Sequence, residues 1–358
     1  MGNKRKVHKN FKLQGVSCND IDLHEIAYSL VKEGDNSEKA IGDFILDWLD
    51  DKPFIKVSTS GSTGAPKQIS ILKKFMANSA KATGNFFGLK ENTTALLCLP
   101  CNYIAGKMML VRAMVLGWHL DYIEPSASLH IPSDRVYDFS AMVPLQVQNS
   151  LNELSSINTL IVGGAPFSSS LKKKLVSNDV STKVYETYGM TETVTHVALK
   201  KVHPIDQVEY FRTLPDVDIR IDERDCLVIN APKISANEVV TNDIVLLISN
   251  NEFEWLGRFD NVVNSGGVKL FPEQIEAKLA EVIESRFFVT GLPDENLGQK
   301  LVLLIEGDPK LERIRQKIEN LKVLDRFERP KEIYFLKKFT ETSSGKVQRQ
   351  QTLDQLAI

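Results

Sequence analysis

The chain of 358 residues carries only four cysteines, and none of its apolar runs approaches the ~20 residues needed to cross a bilayer. Four cysteines are too few to staple a chain of this length, so stability must come from a packed core. Cys98 and Cys101 have C-x-x-C spacing, but Cys18 and Cys226 are isolated and supply no second ligand pair for a metal. Cys98 also ends the apolar run Ala95-Leu96-Leu97-Cys98-Leu99, which reads as a buried strand rather than a redox or zinc motif. Charge imbalance is missing too. With 44 basic against 46 acidic residues, no field is expected to attract nucleic acid or a membrane surface. The basic N-terminus, Met1-Gly2-Asn3-Lys4-Arg5-Lys6, is not followed by the apolar core of a signal peptide, and Lys6 stands where myristoylation needs Ser or Thr. A cytoplasmic protein acting on small molecules is expected, with neither nucleic-acid nor membrane partners. A Gly-x-Ser-x-Gly elbow is absent, and His196 has no evident Ser–Asp partners, which argues against a serine hydrolase.

What is present is ordinary for a globular protein: 42% apolar and 25% charged residues, at a length that predicts two or three domains. Residues 1–56 read as short mixed elements with an amphipathic helix over 40–49. Strands are expected at 94–99, 119–123 and 159–162, alternating with helices at 104–117 and 170–176. That alternation predicts an α/β sheet, parallel or mixed. From residue 197 to 257 short β-rich segments (217–221, 227–229, 244–248) predict a small antiparallel subdomain, sheet or barrel. A hinge is expected at 258–260, so 1–257 forms the large N-terminal domain. Residues 261–358 form a small mobile α+β domain with helices at 272–285 and 310–321 and strands at 286–290, 301–305 and 332–336.

The densest chemical signal is Ser58-Thr59-Ser60-Gly61-Ser62-Thr63-Gly64-Ala65-Pro66-Lys67, with five hydroxyls, two glycines and a lysine in ten positions. Glycines let backbone N–H groups curl around an anion, hydroxyls add donors, and lysine adds positive charge. The pattern suits a triphosphate grip. It is not a Walker loop, because Pro66 precedes the lysine and no Gly-Lys-Ser/Thr follows the spacer.

The segment Ser-Gly-Ser-Thr-Gly-x-Pro-Lys resembles the phosphate loop of the acyl-adenylate-forming enzymes, and further matches follow in that family's order. They are Gly163-Gly164-Ala165-Pro166, Tyr188-Gly189-Met190-Thr191-Glu192-Thr193, Thr241-Asn242-Asp243, Gly257-Arg258-Phe259-Asp260, Asn264-Ser265-Gly266-Gly267-Val268-Lys269 and Ser344-Gly345-Lys346-Val347-Gln348-Arg349. The resemblance implies ATP, Mg²⁺ and coenzyme A as cofactor and co-substrates, and a carboxylic acid as the other partner. Thr59, Ser60, Gly61, Ser62, Thr63, Gly64 and Lys67 would then hold the phosphates, and Gly164, Ala165 and Pro166 would border the adenine. Tyr188 would pack on the base, with Gly189 and Met190 shaping that turn. Thr191 would donate its hydroxyl to the α-phosphate and Glu192 would hold Mg²⁺, a hard cation that wants carboxylate oxygen. Asp243 would accept from the ribose hydroxyls, Arg258 would touch ribose or phosphate, and Asp260 would be the hinge pivot. Lys346 would bridge the carboxylate and the α-phosphate, while Gly266 and Gly267 would leave room for the pantetheine arm.

The chain departs from the family in three places. Only 57 residues precede the phosphate loop, so a reduced first subdomain is expected. Asn242 replaces a glycine, as a residue that tolerates the left-handed conformation. Tyr103 takes the place of the gate residue in Leu99-Pro100-Cys101-Asn102-Tyr103-Ile104-Ala105-Gly106-Lys107. Tyr103, Gly106 and Lys107 are the expected acyl-side residues. Compact members that act on o-succinylbenzoate, in menaquinone synthesis, are the most similar. This dicarboxylate would need a cation such as Lys107 for its second carboxylate. A ligase for another aryl or short-chain acid, an enzyme loading a carrier-protein thiol, and an inactive nucleotide-binding scaffold are the alternatives.

Overall fold

The structure is a computed structural model that describes residues 6–59, 67–132, 134–204, 210–307, 310–341 and 347–356. Two short strands, β1 (Lys12–Leu13) and β2 (Val16–Ser17), lead into helices α1 (Asp20–Glu33) and α2 (Asn36–Leu49). The sequence reading had only short mixed elements there, with one helix over 40–49. Both helices carry a capping box, Asn19 with Asp22 and Asp35 with Glu38, which satisfies N–H groups that would otherwise lie open at each start. The Asn-x-x-Asp and Asp-x-x-Glu spacings were the available signal.

A hairpin, β3 (Phe54–Thr59) and β4 (Lys67–Leu72), closes on a last rung between Thr59 and Lys67, so the phosphate-loop sequence is its connection. Then follow α3 (Lys73–Phe87), β5 (Thr94–Leu97), α4 (Ile104–Leu116), β6 (His119–Tyr122), β7 (Tyr137–Met142), α5 (Pro144–Asn149), β8 (Ile157–Val162), α6 (Ser169–Ser177) and β9 (Lys183–Gly189). Strands β6, β5, β7, β8 and β9 lie side by side and parallel. Alternate residues of β5 enter different cores: Ala95 and Leu97 face one, Leu96 the other. A strand buried on both faces reads as an unbroken apolar run, which is why the 94–99 segment was legible.

From β10 (His196–His203) the pairing turns antiparallel, through β11 (Phe211–Thr213), β12 (Asp218–Ile221), β13 (Cys226–Asn230), β14 (Val239–Ser249) and β15 (Glu252–Arg258). The antiparallel texture was expected; a separate small sheet or barrel was not what formed. β11 pairs with both β10 and β15, so these strands extend the parallel sheet into one of 13 strands. Phe211 and Phe253 stack at 5.5 Å across that join, and this apolar contact keeps the sheet continuous.

A 3₁₀ turn at Phe259–Asn261 leads into β16 (Val263–Ser265), β17 (Val268–Leu270), α7 (Pro272–Leu279), β18 (Phe287–Asp294), β19 (Gly298–Glu306), α8 (Leu311–Glu319), β20 (Glu332–Leu336) and α9 (Arg349–Leu353). Strand β19 pairs with β16, β18 and β20, and its alternate residues feed two cores of this part. The helix expected over 272–285 stops at Leu279. Val282 and Ile283 both donate to the Leu279 carbonyl, and this tightened turn carries Ile283 into the core. Gln274 Nε2 donates to the Trp255 carbonyl at 2.7 Å, tying α7 to β15.

Candidate active site

Asp243 and Arg258 face each other across β14 and β15, so the ladder register brings a carboxylate to a guanidinium at 3.5 Å. Asp243 is 6% exposed. Its second oxygen accepts the Tyr188 hydroxyl at 2.6 Å, and its backbone N–H donates to Thr241 Oγ1 at 3.1 Å. The Tyr188 ring meets Phe253 edge-on at 5.1 Å and leans on Phe211 at 5.8 Å. Burial, with Asp243 adding to it, pushes the Tyr188 hydroxyl far above its usual range, so it remains a donor. The residues expected to read the ribose and the base, 55 positions apart, therefore form one hydrogen-bonded unit.

Asn242 does not take the left-handed conformation its sequence context suggested. It lies within β14 and is absent from the residues with positive φ. Its side chain bridges two parts of the molecule: Oδ1 accepts from Arg224 at 3.0 Å and Nδ2 donates to Asp260 at 3.2 Å. Asp260 also lies 3.8 Å from Arg258, so the expected pivot abuts the ribose-side cation.

Beyond Tyr188 the chain makes a short 3₁₀ turn, Thr191–Thr193, and then Val194 adopts φ 67° and ψ −56°. Thr195 N–H donates to the Thr193 carbonyl at 2.7 Å, which closes a γ-turn on a β-branched residue. Such backbone costs about 1–3 kcal/mol and persists only where surrounding contacts over-determine it. Here the Val194 side chain is buried in the core. The buried Thr193 hydroxyl accepts from Met190 N–H at 3.1 Å and donates to the Thr195 carbonyl at 2.8 Å. Gly189 leaves room for this path, since a Cβ there would lie 2.3 Å from the Thr195 carbonyl. The strained turn presents Glu192 exposed, and no hydrogen bond or ion pair to it occurs among the described residues.

That free carboxylate suits Mg²⁺, which keeps water and binds through one or two carboxylates plus substrate phosphates. No group of three His, Cys, Asp or Glu side chains that could hold a metal ion by itself occurs among the described residues. Glu186, from the same strand as Tyr188, accepts from Phe167 N–H at 2.9 Å and pairs with Lys200 at 2.8 Å, which fixes the loop holding Gly164, Ala165 and Pro166. Gly164 has φ 86°, and Gly266 and Gly267, at 57° and 82°, make the turn between β16 and β17. Ser60, Gly61, Ser62, Thr63, Gly64 and Lys346 lie outside the described residues, as do the side chains of Thr59 and Lys67.

On the acyl side, Tyr103 precedes α4 and is half exposed. Gly106 is buried because a Cβ would sit 2.4 Å from the Pro100 carbonyl, a packing reason for the small residue. Lys107 is directed to α2: its ammonium lies 4.9 Å from the Phe44 ring, near Asp43 and Asp47, and burial lowers its pKa. The opposite side of α4 carries a residue the sequence reading passed over inside an apolar helix. Arg112 is 2% exposed and makes no ion pair among the described residues. Its guanidinium has three long contacts, to Thr83 Oγ1 (3.4 Å), Thr195 Oγ1 (3.4 Å) and Met109 Sδ (3.6 Å). Burial lowers it to about 10, still a cation at neutral pH. His196 stands beside it, with Thr195 and Thr83 hydroxyls at 3.2 and 3.4 Å, and burial plus the Arg112 charge hold it neutral. A lone Arg in Met108-Met109-Leu110-Val111-Arg112-Ala113-Met114 was the signal.

The sheet that passes from parallel to antiparallel, followed by the smaller β19-centred part, is the fold of a solved AMP-forming acyl-CoA synthetase-like protein. The crystal structure of an acyl-CoA synthetase (AMP-forming)/AMP-acid ligase II-like protein from Dyadobacter fermentans is 36% identical, with TM-score 0.62 over 93% of this chain and 98% of that one. A Bacillus subtilis O-succinylbenzoate coenzyme A synthetase solved with ATP and magnesium gives TM-score 0.72 at 18% identity, covering 94% and 82%. Residues 47–230 match the AMP-binding enzyme family, and the chain belongs to it. A 2-succinylbenzoate–CoA ligase of Lactococcus lactis is 24% identical over 85% of this chain and 72% of its own length. A probable 2-succinylbenzoate–CoA ligase of Mycobacterium tuberculosis is 28% identical over 84% of each.

Proposed function

We propose that this chain is an ATP-dependent, AMP-forming acid–CoA ligase acting on an aryl dicarboxylate, with o-succinylbenzoate, a menaquinone precursor, as the leading substrate. The observation that carries the nucleotide half is the Tyr188–Asp243–Arg258 unit, with the exposed Glu192 in the turn that follows the tyrosine's strand. The acid's carboxylate oxygen attacks the α-phosphorus and pyrophosphate leaves. The coenzyme A thiol sulfur then attacks the acyl carbon and AMP leaves. Glu192 would hold Mg²⁺, which would supply charge to offset the phosphates; Thr191 would donate to the α-phosphate, and Lys346 would supply the mobile cation of the first step.

For the second carboxylate, Arg112 is better placed than Lys107. A buried guanidinium with no carboxylate partner is costly, and an anionic ligand arriving beside Thr83, Thr195 and His196 would relieve that cost. Lys107 turns instead to the acidic face of α2. Relatives named for 2-succinylbenzoate support this substrate class. The chain divides in this reading into residues 1–257, a hinge at 258–260, and a mobile part from 261 to 358. No helix among the described residues is long and apolar enough to cross a membrane.

The test is ATP–pyrophosphate exchange over a panel of carboxylic acids, followed by thioester formation with coenzyme A. Exchange stimulated most by o-succinylbenzoate, with thioester produced, supports the reading. Exchange with no acid at all rejects the ligase, and a preference for monocarboxylates rejects the dicarboxylate.

A further inference from the structure

Among the described residues the apolar cores fall into two sets that share no member. Those packed on the 13-stranded sheet draw on residues up to Trp255, and those packed on β19 on residues from Val263 onward. No apolar cluster joins the two parts, so their relative orientation depends on polar contacts. Two of these are exposed ion pairs, Lys173 with Glu281 at 3.4 Å and Lys269 with Asp225 at 3.7 Å. Pairs of that kind contribute little, because water and salt screen them.

The crossing itself is gripped more firmly. Arg224, in the turn between β12 and β13, is fixed by Asp222 at 2.7 and 2.9 Å and by the Thr241 carbonyl at 3.1 Å. Its guanidinium lies 5.4 Å from the Phe259 ring and donates to Asn242 Oδ1 at 3.0 Å. Arginine can only donate and an ionised carboxylate can only accept, so chemistry fixes which way the Asn242 amide points. Its oxygen takes Arg224, and its nitrogen donates to Asp260 Oδ2 at 3.2 Å. Arg258 reaches the same Asp260 oxygen at 3.8 Å from the other side. A glycine at 242 could make neither bond. The Asp260 side chain is 63% exposed, so water can replace the amide when the contact opens.

We propose that Asn242 is a conformational latch: bridging Arg224 to Asp260, it holds the part that starts at Val263 in the orientation of this structure, and its bond to Asp260 opens when that orientation changes. This rests on the reading of residues 261–358 as a mobile part. Asn242 touches no substrate in this role; it acts through Asp260.

The measurement is the distance distribution between nitroxides on Lys81→Cys in α3 and Arg315→Cys in α8 of the full-length enzyme, without ligand, with ATP, and with AMP plus coenzyme A. Both positions are exposed and the four native cysteines are buried, so labelling is selective. Without ligand the Asn242 protein should show one dominant distance, and a second should gain population in one of the liganded states. Asn242→Gly should raise the second population about 2–10-fold without ligand, the range for losing one exposed hydrogen bond. Asn242→Asp keeps the side-chain shape and the Arg224 contact but sets two carboxylates face to face, so it should raise that population at least as much. Adding Asp260→Asn to Asn242→Asp puts a donor opposite an acceptor again and should restore the original distribution. In Asn242→Gly, ATP–pyrophosphate exchange and thioester formation from pre-formed acyl-adenylate should change in opposite directions, since the step served by this orientation slows and the other gains. Two distances in the Asn242 protein that neither substitution redistributes, failure of Asp260→Asn to rescue, or equal loss of both half-reactions would overturn the latch. A single distance under every condition would instead reject the mobile part on which the latch rests.

Discussion

Asp243 and Arg112 are both charged and almost fully buried, yet they are treated oppositely. Asp243 is met by a tyrosine hydroxyl at 2.6 Å, a guanidinium at 3.5 Å and a threonine-braced backbone. Among the described residues Arg112 has three neutral contacts, none shorter than 3.4 Å. Both side chains contact the Tyr188–His196 stretch, so the difference is not one of location in the fold. A buried charge that is already partnered forms part of a preorganised surface, and its ligand replaces or joins existing bonds. A buried charge without a counter-ion is stored cost, and the ligand that neutralises it gains more than it would in water. In the proposed reading the nucleotide side is prebuilt, and the acyl side would be completed by its substrate.

The largest effect expected is at the edge of the prebuilt side. Glu192→Gln should reduce exchange by about 10³-fold, because the charged oxygen proposed to hold the metal is lost while the fold is untouched. Near-wild-type exchange at limiting Mg²⁺ would remove the metal assignment. Next, Arg112→Met should raise KM for a dicarboxylate by about 10–100-fold and leave a monocarboxylate analogue nearly unchanged. The same substitution should raise the melting temperature, since it deletes an uncompensated buried charge at similar volume. A fall in melting temperature with equal losses for both acids would make Arg112 structural. Asp243→Asn should behave in the opposite way. It should lower the melting temperature and weaken ATP binding about tenfold, and Tyr188→Phe should weaken binding about fivefold, as read by titration with the nucleotide.

The Glu276–Arg349 pair, 2.8 Å apart between α7 and α9, falls between the two extremes, and pH separates its cost from its benefit. Burial outweighs the pull of Arg349 and lifts the Glu276 carboxyl from 4.5 to about 7. The folded state therefore favours the neutral acid: its stabilising share is complete below about pH 4.5 and is lost as pH rises through 7. Comparing denaturant unfolding of wild type and Glu276→Gln at pH 5 and pH 8 should show wild type losing ground by a figure on the order of 3 kcal/mol. A constant difference across that range would place the carboxyl near its ordinary value.

Much of the fold was legible because its signals are local. The buried strands at 94–97 and 157–162 read directly as apolar runs, and α4 as an unbroken apolar helix. Helices α1 and α3 were not foreseen, though the Asn19 cap of α1 was a usable signal. For the site, the motif order singled out Tyr188, Thr191, Glu192, Asp243 and Arg258, and three of these, Tyr188, Asp243 and Arg258, prove to be joined around one sheet register. Asn242 was misjudged, since its backbone continues β14 and its side chain, not its φ, is what the position uses.

The sequence by itself determined the chemistry on offer: hydroxyls and glycines that suit phosphate, a carboxylate for a hard metal, and the order of motifs along the chain. Those properties belong to neighbouring residues and survive without any knowledge of the fold. Tertiary structure alone decided which charges have partners. Arg112 meets Thr195 83 positions away, Tyr188 meets Asp243 55 away, and Glu276 meets Arg349 73 away. Whether a buried ion is compensated depends on what long-range packing brings within ~3–4 Å, a distance over which an interior pair differs from a lone charge by several kcal/mol. No local pattern encodes that proximity. That Arg112 meets only neutral partners among the described residues, and that Asp243 is met by Tyr188 and Arg258, both follow from it.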